Sequence, residues 1–531
     1  MRRQLPRMEG VTQSSPAPRR SEVLAALSLA IDLGLGQPME HMLRSSLLAL
    51  RIAAAAGVDG AARDRIYYAN LLAWIGCHAD SFELAALFSD DIAFRANYYI
   101  RDQRGLPMYA GMFSQTGAGL PPLARVAEWT RFAATGHAAV RNLISSHCVS
   151  PGVLASRVGL DDGVAGLLAH TFERWDGKGL PEGVSGPAIP LEMRITHLAD
   201  TAEVFLRREG LAGAVAMVRA RRGSHFDPAL AELFIGHAGT LTEGLLDIDC
   251  WQEALAVAPD DGTLSGVQLD AVLGAIGDFA DLKSPYTAGH SRGVAALAAA
   301  AAEEHGLPGD DVAELRRAGW VHDLGRLGVS NQVWDKKEPL SALELERVRM
   351  HPYLGERILG RVPGLKGVAA LAGSHHERLD GSGYPRGIGG PELGTKQRIL
   401  AAADSYHASL EPRPHRPPLT PEDAAARLRQ EVSAGRHSPE AAEAVLIAAG
   451  QQRRRQHVLP AGLTPREAEI LAMLCRGMNT AEIAAELVLA RKTVRNHVEH
   501  IYAKIGASNR VGATLYAMGH GLTEPRLPGP A

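Results

Sequence analysis

An internal repeat constrains the fold of this chain more than any other feature of its sequence. The segment FERWDGKGLPEGVSGPAIPLEMRITHLAD (172–200) aligns without gaps with HERLDGSGYPRGIGGPELGTKQRILAAAD (376–404), at an offset of 204 residues. Farther upstream, His41 aligns with His290, and there the offset is 249 residues. The first copy therefore contains 45 additional residues (249 minus 204) between these two regions. Such self-similarity predicts two related domains in tandem.

The chain as a whole is predicted to be all-α. Its 531 residues are enough for several domains. Apolar residues recur at spacings of three and four, and alternating β-branched runs are few. This periodicity lapses near 257–265 and 456–462, which predicts domain borders there. The predicted organisation is a disordered N-terminus at 1–20, a first helical domain at 21–256, a second at 266–449, a linker at 450–461, a small helix-turn-helix bundle at 462–522 and a tail at 523–531.

Charge, cysteine content and hydropathy exclude several classes of protein. Lys and Arg number 56 and Asp and Glu 59, so the chain is not a polycation that binds nucleic acid over its whole surface. The four cysteines form no C-x-x-C pair, which argues against a disulfide framework and a thiolate zinc site. The longest apolar run, at 294–302, is far shorter than the ~20 residues of a membrane-spanning helix. We therefore expect a cytoplasmic protein that does not enter a membrane.

The second copy contains an ordered set of seven imidazole and carboxylate groups. Taken singly, a His on a helix is more often a hydrogen-bonded residue than a metal ligand. Such donors favour Fe or Mn at least as well as Zn. Seven groups exceed the needs of one ion, and two ions roughly 3.5–4 Å apart suit the hydrolysis of a phosphodiester. The candidate ligands are His290, His322, Asp323, His351, His375, His376 and Asp404.

The segment HHERLDGSGYP (375–385) resembles the signature of HD-GYP phosphohydrolases, a branch of the HD superfamily. The resemblance extends over about residues 268–449. It implies hydrolysis of a cyclic dinucleotide, most often cyclic di-GMP, by a domain that holds two divalent ions. It also implies that the seven groups above are the ligands, with Asp323 and Arg326 in catalytic positions. A loop beside the site would consist of Asp380, Gly381, Gly383, Tyr384 and Pro385.

Three positions depart from the pattern of this family. Arg326 stands where the family usually has a Lys, and it cannot give up its proton. His407 stands where the family has a second Asp. Tyr286 stands where members with a third metal place a carboxylate, so we expect two ions rather than three. These departures leave an alternative open, in which the domain is a nucleotide or metal sensor with little or no turnover.

The first copy is predicted to be a degenerate HD-like domain that has lost this chemistry. It retains only three of the seven donors, namely His41, His147 and Asp200. The His-Asp pair is replaced by Ala73-Trp74 and the His-His pair by Thr171-Phe172. Apolar side chains would fill the pocket, and we expect a role in dimerisation, sensing or ligand binding without catalysis.

The C-terminal segment 462–522 has the pattern of a helix-turn-helix unit. Thr464 and Glu467 fit a capping box that opens a first helix, and Asn479 or Thr480 can cap a second one. A third helix begins near Arg491. Four apolar residues on its predicted buried face are Val494, Val498, Ile501 and Ile505.

This segment resembles the LuxR-type DNA-binding domain over its whole length, in residues that include Leu463-Thr464, Ile483-Ala484, Lys492-Thr493-Val494 and Lys504-Ile505-Gly506. The resemblance implies that Thr493, Arg495 and Asn496 approach base edges, and that Lys492 and Lys504 contact phosphates. The segment holds seven basic and five acidic residues, a surplus of two, so we expect weak binding by a monomer and binding of double-stranded DNA by a homodimer. A small bundle used only for protein contacts is the alternative.

Overall fold

The computed structural model describes residues 16–97, 99–100, 112–117, 121–451 and 460–523. Over these ranges the chain forms helices, 3-10 turns and loops, and no β-strand beyond three isolated bridges. The prediction of an all-α protein is confirmed. Within the same ranges no single helix is long and apolar enough to cross a membrane; only the bent pair Gly60–Ala79 and Ser81–Phe88 passes that test together.

The helices of the first copy and of the segment that follows it are α1 Arg20–Gly34, α2 His41–Ala55, α3 Gly60–Leu72, α4 Gly76–Ala79, α5 Ser81–Phe88, α6 Asp91–Ala96, α7 Pro122–Arg157, α8 Asp162–Leu168, α9 Leu191–Arg221, α10 Pro228–Thr242 and α11 Cys250–Ala256. The helices of the second copy are α12 Gly266–Asp281, α13 His290–Glu304, α14 Gly309–Val321, α15 Asn331–Trp334, α16 Ala342–Arg349, α17 His351–Leu359, α18 Lys366–Ala372, α19 Thr395–Ser409, α20 Pro421–Ser433 and α21 Pro439–Gln451. The C-terminal module contains α22 Pro465–Cys475, α23 Thr480–Glu486, α24 Arg491–Ile505 and α25 Arg510–Gly519.

The N-terminal prediction is wrong where the structure describes the chain. Residues 16–20 were expected to be disordered, but the backbone N–H of Leu264 donates to the carbonyl oxygen of Pro18 (2.8 Å) and Arg19 pairs with Thr263. Helix α1 then begins at Arg20. The segment joining the two copies therefore lies against the start of the chain. The predicted disorder at 1–15, most of the linker at 452–459 and the tail at 524–531 lie outside the described residues.

The two copies pack against each other through reciprocal contacts. Helix α1 contacts the 3-10 turn Leu324–Gly328 and α17 of the second copy. Helix α12, which aligns with α1, contacts α4 and α7, which align with that turn and with α17. The use of the same elements from both sides is typical of a two-fold interface. The tandem therefore packs like a symmetric dimer within one chain, around a shared apolar core.

Polar contacts across this interface follow the same reciprocity. Arg157 pairs with Asp278 of the second copy, and Arg361, at the position that aligns with Arg157, pairs with Glu40 of the first copy (3.1 Å). A further network centres on Asp91, which is fully buried. Its carboxylate pairs with Arg95 of the same helix (2.8 Å) and also reaches three groups of the second copy. These are Lys283 Nζ (3.4 Å), Ser330 Oγ (2.7 Å) and the backbone N–H of Asn331 (2.8 Å).

The C-terminal module has its own core and is docked on the tandem. Helix α25 places Ala513 and Ala517 in the core of the module. Its other face carries Val511, Leu515 and Met518, which belong to the core of the tandem, and the helix contacts α7 and α12. The module is thereby held at the junction of the two copies.

Replacing Asp91 by Ala is expected to destabilise the tandem by about 3–5 kcal/mol, because the buried cations Lys283 and Arg95 would lose their counter-charge. Thermal and urea unfolding of the full chain measure the effect. Asp64→Ala is the matched control: Asp64 lies on α3 with a half-exposed side chain, and its replacement should change stability by less than about 0.5 kcal/mol. Equal stability of the two variants would contradict the role given to Asp91.

Candidate metal centre and DNA-binding surface

The seven candidate ligands come from five places in the second copy. His290 and His351 are the first residues of α13 and α17, and Asp404 lies in α19. The pair His322-Asp323 follows directly after α14, and the pair His375-His376 lies just beyond α18. Donors at helix ends can converge because the chain turns away from the helix axis there. The structure brings all seven together in one cluster, in which six residues are buried and His376 is partly exposed.

A close approach of two backbone segments positions part of this cluster. A Cβ atom on Gly325, in the turn after His322-Asp323, would lie 2.0 Å from the carbonyl oxygen of His351. Only glycine fits at this position. The first copy repeats the contact, since a Cβ atom on Gly76 would lie 2.3 Å from the carbonyl oxygen of His147. The scaffold of the site is therefore present in both copies.

Three of the imidazoles are oriented in the same way. In each, Nδ1 bonds to the backbone carbonyl three residues earlier and leaves Nε2 facing the centre of the cluster. These bonds join His322 to Gly319 (2.8 Å), His351 to Val348 (2.6 Å) and His375 to Ala372 (2.6 Å). A partner on one ring nitrogen is how proteins fix the tautomer of a metal-ligating His.

Asp323 lies between two groups of imidazoles. Its Oδ1 lies 3.3 Å from Nε2 of His351 and 3.7 Å from Nε2 of His375. Its Oδ2 lies 3.7 Å from Nε2 of His290 and 3.6 Å from Nε2 of His322. Each carboxylate oxygen thus faces a different pair of ring nitrogens. This is the arrangement of a carboxylate that bridges two cations.

Asp404 also lies near imidazoles of both groups. Its Oδ1 lies 3.3 Å from Nε2 of His290, and its Oδ2 lies 3.6 Å from Nδ1 of His376. The donor atoms of His290, His322 and Asp404 lie within 4.8 Å of one another, and so do those of His351, His375 and His376. Two sets of three donors therefore stand side by side.

The carboxylates of the cluster attract positive charge, because Glu411, Asp404 and Asp323 raise the pKa of His290 to about 10 against the effect of burial. Burial lowers the pKa of His375 to about 3, so this imidazole is neutral. Burial disfavours ionisation of Asp323, but Arg326 and the neighbouring imidazoles hold its pKa well below the usual range. Nε2 of His322 is buried and has no hydrogen-bond partner among the described residues. Leaving such an atom unpaired costs about 1–3 kcal/mol, which a bound metal ion would remove. Neutral imidazoles and ionised carboxylates are the forms that bind metal.

A cavity of about 690 Å³ opens beside the cluster. Arg326, on its wall, pairs with Asp323 (2.8 Å) and lies over the ring of Trp334, 4.0 Å from its centre. The sequence did not identify five other cationic side chains at this wall, because basic residues occur throughout the chain and no spacing sets these apart. They are Lys336, Lys337, Arg413, Arg416 and Arg427.

The loop after the His-His pair reaches the cavity through one side chain. The ring of Tyr384 lies 4.7 Å from the ring of His376 and lines the cavity. Gly381 has a positive φ of 76°, and a Cβ atom on Gly383 would lie 2.4 Å from the backbone nitrogen of Arg378. Asp380 is exposed and accepts a hydrogen bond from Ser382 Oγ (2.6 Å). Of the predicted loop residues, only Tyr384 lines the cavity, and Asp380 faces solvent.

The first copy fills the same space with aromatic and paired groups. Trp74 packs against Phe172 with ring centres 5.3 Å apart, and its Nε1–H donates to Asp200 (3.0 Å). His41 lies between Asp200 (3.2 Å) and Glu203 (2.5 Å), whose carboxylates raise its pKa to about 10 against the effect of burial. All donor groups that could share a metal ion, among the described residues, belong to the second copy.

The C-terminal module presents the predicted DNA-binding residues unequally. Asn479 caps α23 and Thr464 caps α22, as predicted. All five residues are exposed, with Lys492, Thr493, Arg495 and Asn496 in the N-terminal part of α24 and Lys504 near its C-terminal end. The fifth, Lys504, is engaged within the module, because its Nζ bonds to Glu467 (2.7 Å) and to the carbonyl oxygen of Gly462 (3.1 Å).

Comparisons with protein families match both parts of the chain. The HD domain family matches residues 99–230 and 275–440. The luxR family of bacterial regulatory proteins matches residues 461–517. The HD-domain matches fall on both copies of the repeat.

Two similar proteins with a stated activity align with different lengths of this chain. The 3'3'-cGAMP-specific phosphodiesterase 3 of Vibrio cholerae is 31% identical over 416 residues, which are 77% of this chain and 90% of that protein. The cyclic di-GMP phosphodiesterase of Thermotoga maritima is 36% identical over 177 residues, which are 33% of this chain and 47% of that protein. The crystal structure of a cyclic GMP-AMP-specific phosphodiesterase of V. cholerae covers 82% of this chain and 99% of its own, with a TM-score of 0.57 and 26% identity.

Replacing Gly383 by Ala is expected to displace the loop that carries Tyr384, because the new Cβ would meet backbone atoms that cannot move aside. We expect a loss of about 1–3 kcal/mol in stability and faster hydrogen exchange at residues 376–390. Ser382→Ala is the control, since Ser382 bonds only to the exposed Asp380 in this loop. Unchanged exchange in the Gly383 variant would show that the loop is not held as described.

Proposed function

The chain belongs to the HD-domain family and ends in a domain of the luxR family, and from this premise we propose that it is a metal-dependent phosphodiesterase of a cyclic dinucleotide that also binds DNA. The observation that carries the enzymatic part is the position of Asp323. Each of its carboxylate oxygens faces a separate pair of imidazoles, as a ligand shared by two cations must.

The proposed metal ligands are the seven clustered residues, His290, His322, Asp323, His351, His375, His376 and Asp404. Their imidazole and carboxylate donors favour two divalent ions, Fe or Mn. Such a pair of ions polarises a phosphodiester and supplies a hydroxide nucleophile when bound. The residues of the chain hold the donors in place and orient the substrate. Arg326, fixed by Asp323 and Trp334 at the cavity wall, is placed to hold a phosphate oxygen.

The proposed substrate is a cyclic dinucleotide, with cyclic di-GMP as the first candidate. A substrate of this class carries two phosphates, and the cavity offers several cationic side chains beyond the metal cluster. The relatives named above act on 3'3'-cGAMP or on cyclic di-GMP. Both nucleotides therefore need to be assayed side by side.

A second candidate function is a nucleotide or metal sensor with little turnover. The contact between Arg326 and Asp323 favours it, because a guanidinium held by a metal-ligand carboxylate cannot transfer a proton. The two candidates predict the same bound metal and differ in hydrolysis.

The proposed output is transcription. The exposed face of α24 supports entry into the major groove, with Thr493, Arg495 and Asn496 near base edges and Lys492 near phosphates. We place the protein in the cytoplasm, where DNA is found and where four unpaired thiols are stable. Binding to a two-fold DNA site requires a homodimer. The nucleotide bound or hydrolysed in the second copy would then bias transcription.

Asp404→Asn and Asp200→Asn form a matched pair, because the two aspartates align in the repeat. With Mn²⁺ or Fe²⁺, the wild type is expected to bind metal and hydrolyse a cyclic dinucleotide. Asp404→Asn should lose bound metal, and its hydrolysis should fall by more than the roughly 100-fold that the loss of an outer-shell partner costs. Asp200→Asn should retain both.

Metal analysis and chromatography of the products measure these outcomes. Metal without hydrolysis in the wild type would favour the sensor. Neither metal nor hydrolysis would contradict the proposed metal centre. Loss of hydrolysis in a folded Asp200→Asn protein would contradict the view that the first copy is degenerate.

Arg495→Ala is expected to weaken specific DNA binding by about 1–3 kcal/mol, because an exposed base-reading side chain is removed. Binding of the wild type should fall steeply as salt increases, since phosphate contacts release counterions. Fluorescence anisotropy with promoter DNA measures both effects. Arg429→Ala, an exposed arginine on α20, is the control and should bind as the wild type does. An affinity for DNA that changes neither with salt nor in the Arg495 variant would contradict the DNA-binding role.

A further inference from the structure

We propose that Glu411 is a positioning residue for the metal centre, which orients His290 in place of the carboxylate that the chain lacks at position 407. The inference rests on the proposed metal centre and deepens it. It concerns a residue that follows α19 and that no motif in the sequence singles out.

The two ring nitrogens of His290 face different carboxylates. Its Nε2 faces Asp323 and Asp404, and its Nδ1 is 3.2 Å from Oε1 and 3.0 Å from Oε2 of Glu411. Glu411 is buried and is held in turn by Arg413 (2.8 Å). A carboxylate on Nδ1 fixes the proton there and leaves the lone pair of Nε2 for a cation.

The same contacts argue against a third metal position at this end of the cluster. His290, His407 and Glu411 place their donor atoms within 4.8 Å of one another. However, a neutral imidazole has one lone pair, and Nε2 of His290 uses it at the centre. Nδ1 then carries a proton and donates to Glu411 instead of binding an ion. The three residues are therefore a support for the site and not an additional site.

The first copy holds the same interaction with a carboxylate from another position. There Glu203 lies 2.5 Å from Nδ1 of His41. Under the offset of 204 residues Glu203 aligns with His407, and Arg207 aligns with Glu411. The carboxylate lies four residues farther along the chain in the second copy, while its contact with the aligned histidine is retained.

A second aligned pair of residues accommodates this exchange. A Cβ atom on Gly293 would lie 1.8 Å from Nε2 of His407, so the imidazole needs a glycine opposite. In the first copy the aligned residue is Arg44, whose Nε bonds to Glu203 (2.9 Å). Each copy therefore has a compatible pair at these two positions. The pair is Arg44 and Glu203 in the first copy and Gly293 and His407 in the second. In both copies a carboxylate contacts Nδ1 of the aligned histidine, Glu203 with His41 and Glu411 with His290.

The experiment titrates metal-free full chain with Mn²⁺ by calorimetry. Glu411→Ala is expected to weaken Mn²⁺ binding by about 10- to 100-fold, as loss of an outer-shell partner does. Glu392→Ala, an exposed glutamate on a neighbouring turn, is the control and should bind as the wild type does. The double variant His407→Glu/Glu411→Ala places a carboxylate at the position that aligns with Glu203, without the arginine that accompanies it in the first copy, and is expected to recover most of the affinity.

The measurements distinguish failure of the role proposed for Glu411 from failure of the proposed metal centre. A purely structural role of Glu411 would lower the melting temperature without changing Mn²⁺ affinity, and equal affinity of Glu411→Ala and wild type would overturn the inference. Failure of a folded double variant to recover affinity would overturn the relocation of the carboxylate. If the wild type itself does not bind Mn²⁺, the proposed metal centre fails together with the inference.

Discussion

The arrangement of the second copy depends on the burial of Asp323 among imidazoles. An ionised carboxylate in a helical core is costly unless it is paired. Here the pairing is supplied from two sides, by His351 and His375 on one oxygen and by His290 and His322 on the other. The helices that carry these histidines must therefore meet at one point. The close backbone contact at the turn after Asp323, where only glycine fits, holds two of these segments together.

The two copies are two solutions to the same packing problem. In the first, Trp74 and Phe172 stand where Asp323 and His376 stand in the second, and the Nε1–H of Trp74 donates to Asp200. His41 is charged by its carboxylate neighbours there, so a proton neutralises the site. The scaffold thus accommodates either a cluster of imidazoles and carboxylates or an aromatic pair with a polar network.

The sequence predicts the helical class, the repeat and the clustering of all seven donors, because each depends on local pattern or on alignment of the copies. It does not predict contacts that arise only when distant segments meet. Glu411 belongs to this group, since a lone glutamate beyond a helix carries no signal until His290 is seen beside it. Lys504 is another case: its spacing suits a phosphate contact, but Glu467 lies within reach in the folded module. Residues 16–20 are ordered because a later segment pairs with them.

The reciprocal packing of the copies bears on how two DNA-binding domains can come together. The surface that a symmetric dimer of such domains would use is occupied within the chain, by α1 and α12. The homodimer proposed above would therefore form through another surface. Helix α25 is also unavailable for contacts between two chains, because Val511, Leu515 and Met518 are buried against the tandem.

The segment before His290 contacts both the C-terminal module and the cavity. Pro285 lies against Gly477, Ala288 packs on the core of the C-terminal module, and Tyr286 lines the cavity. Any displacement of the module thus alters the surroundings of a segment that ends in a candidate metal ligand.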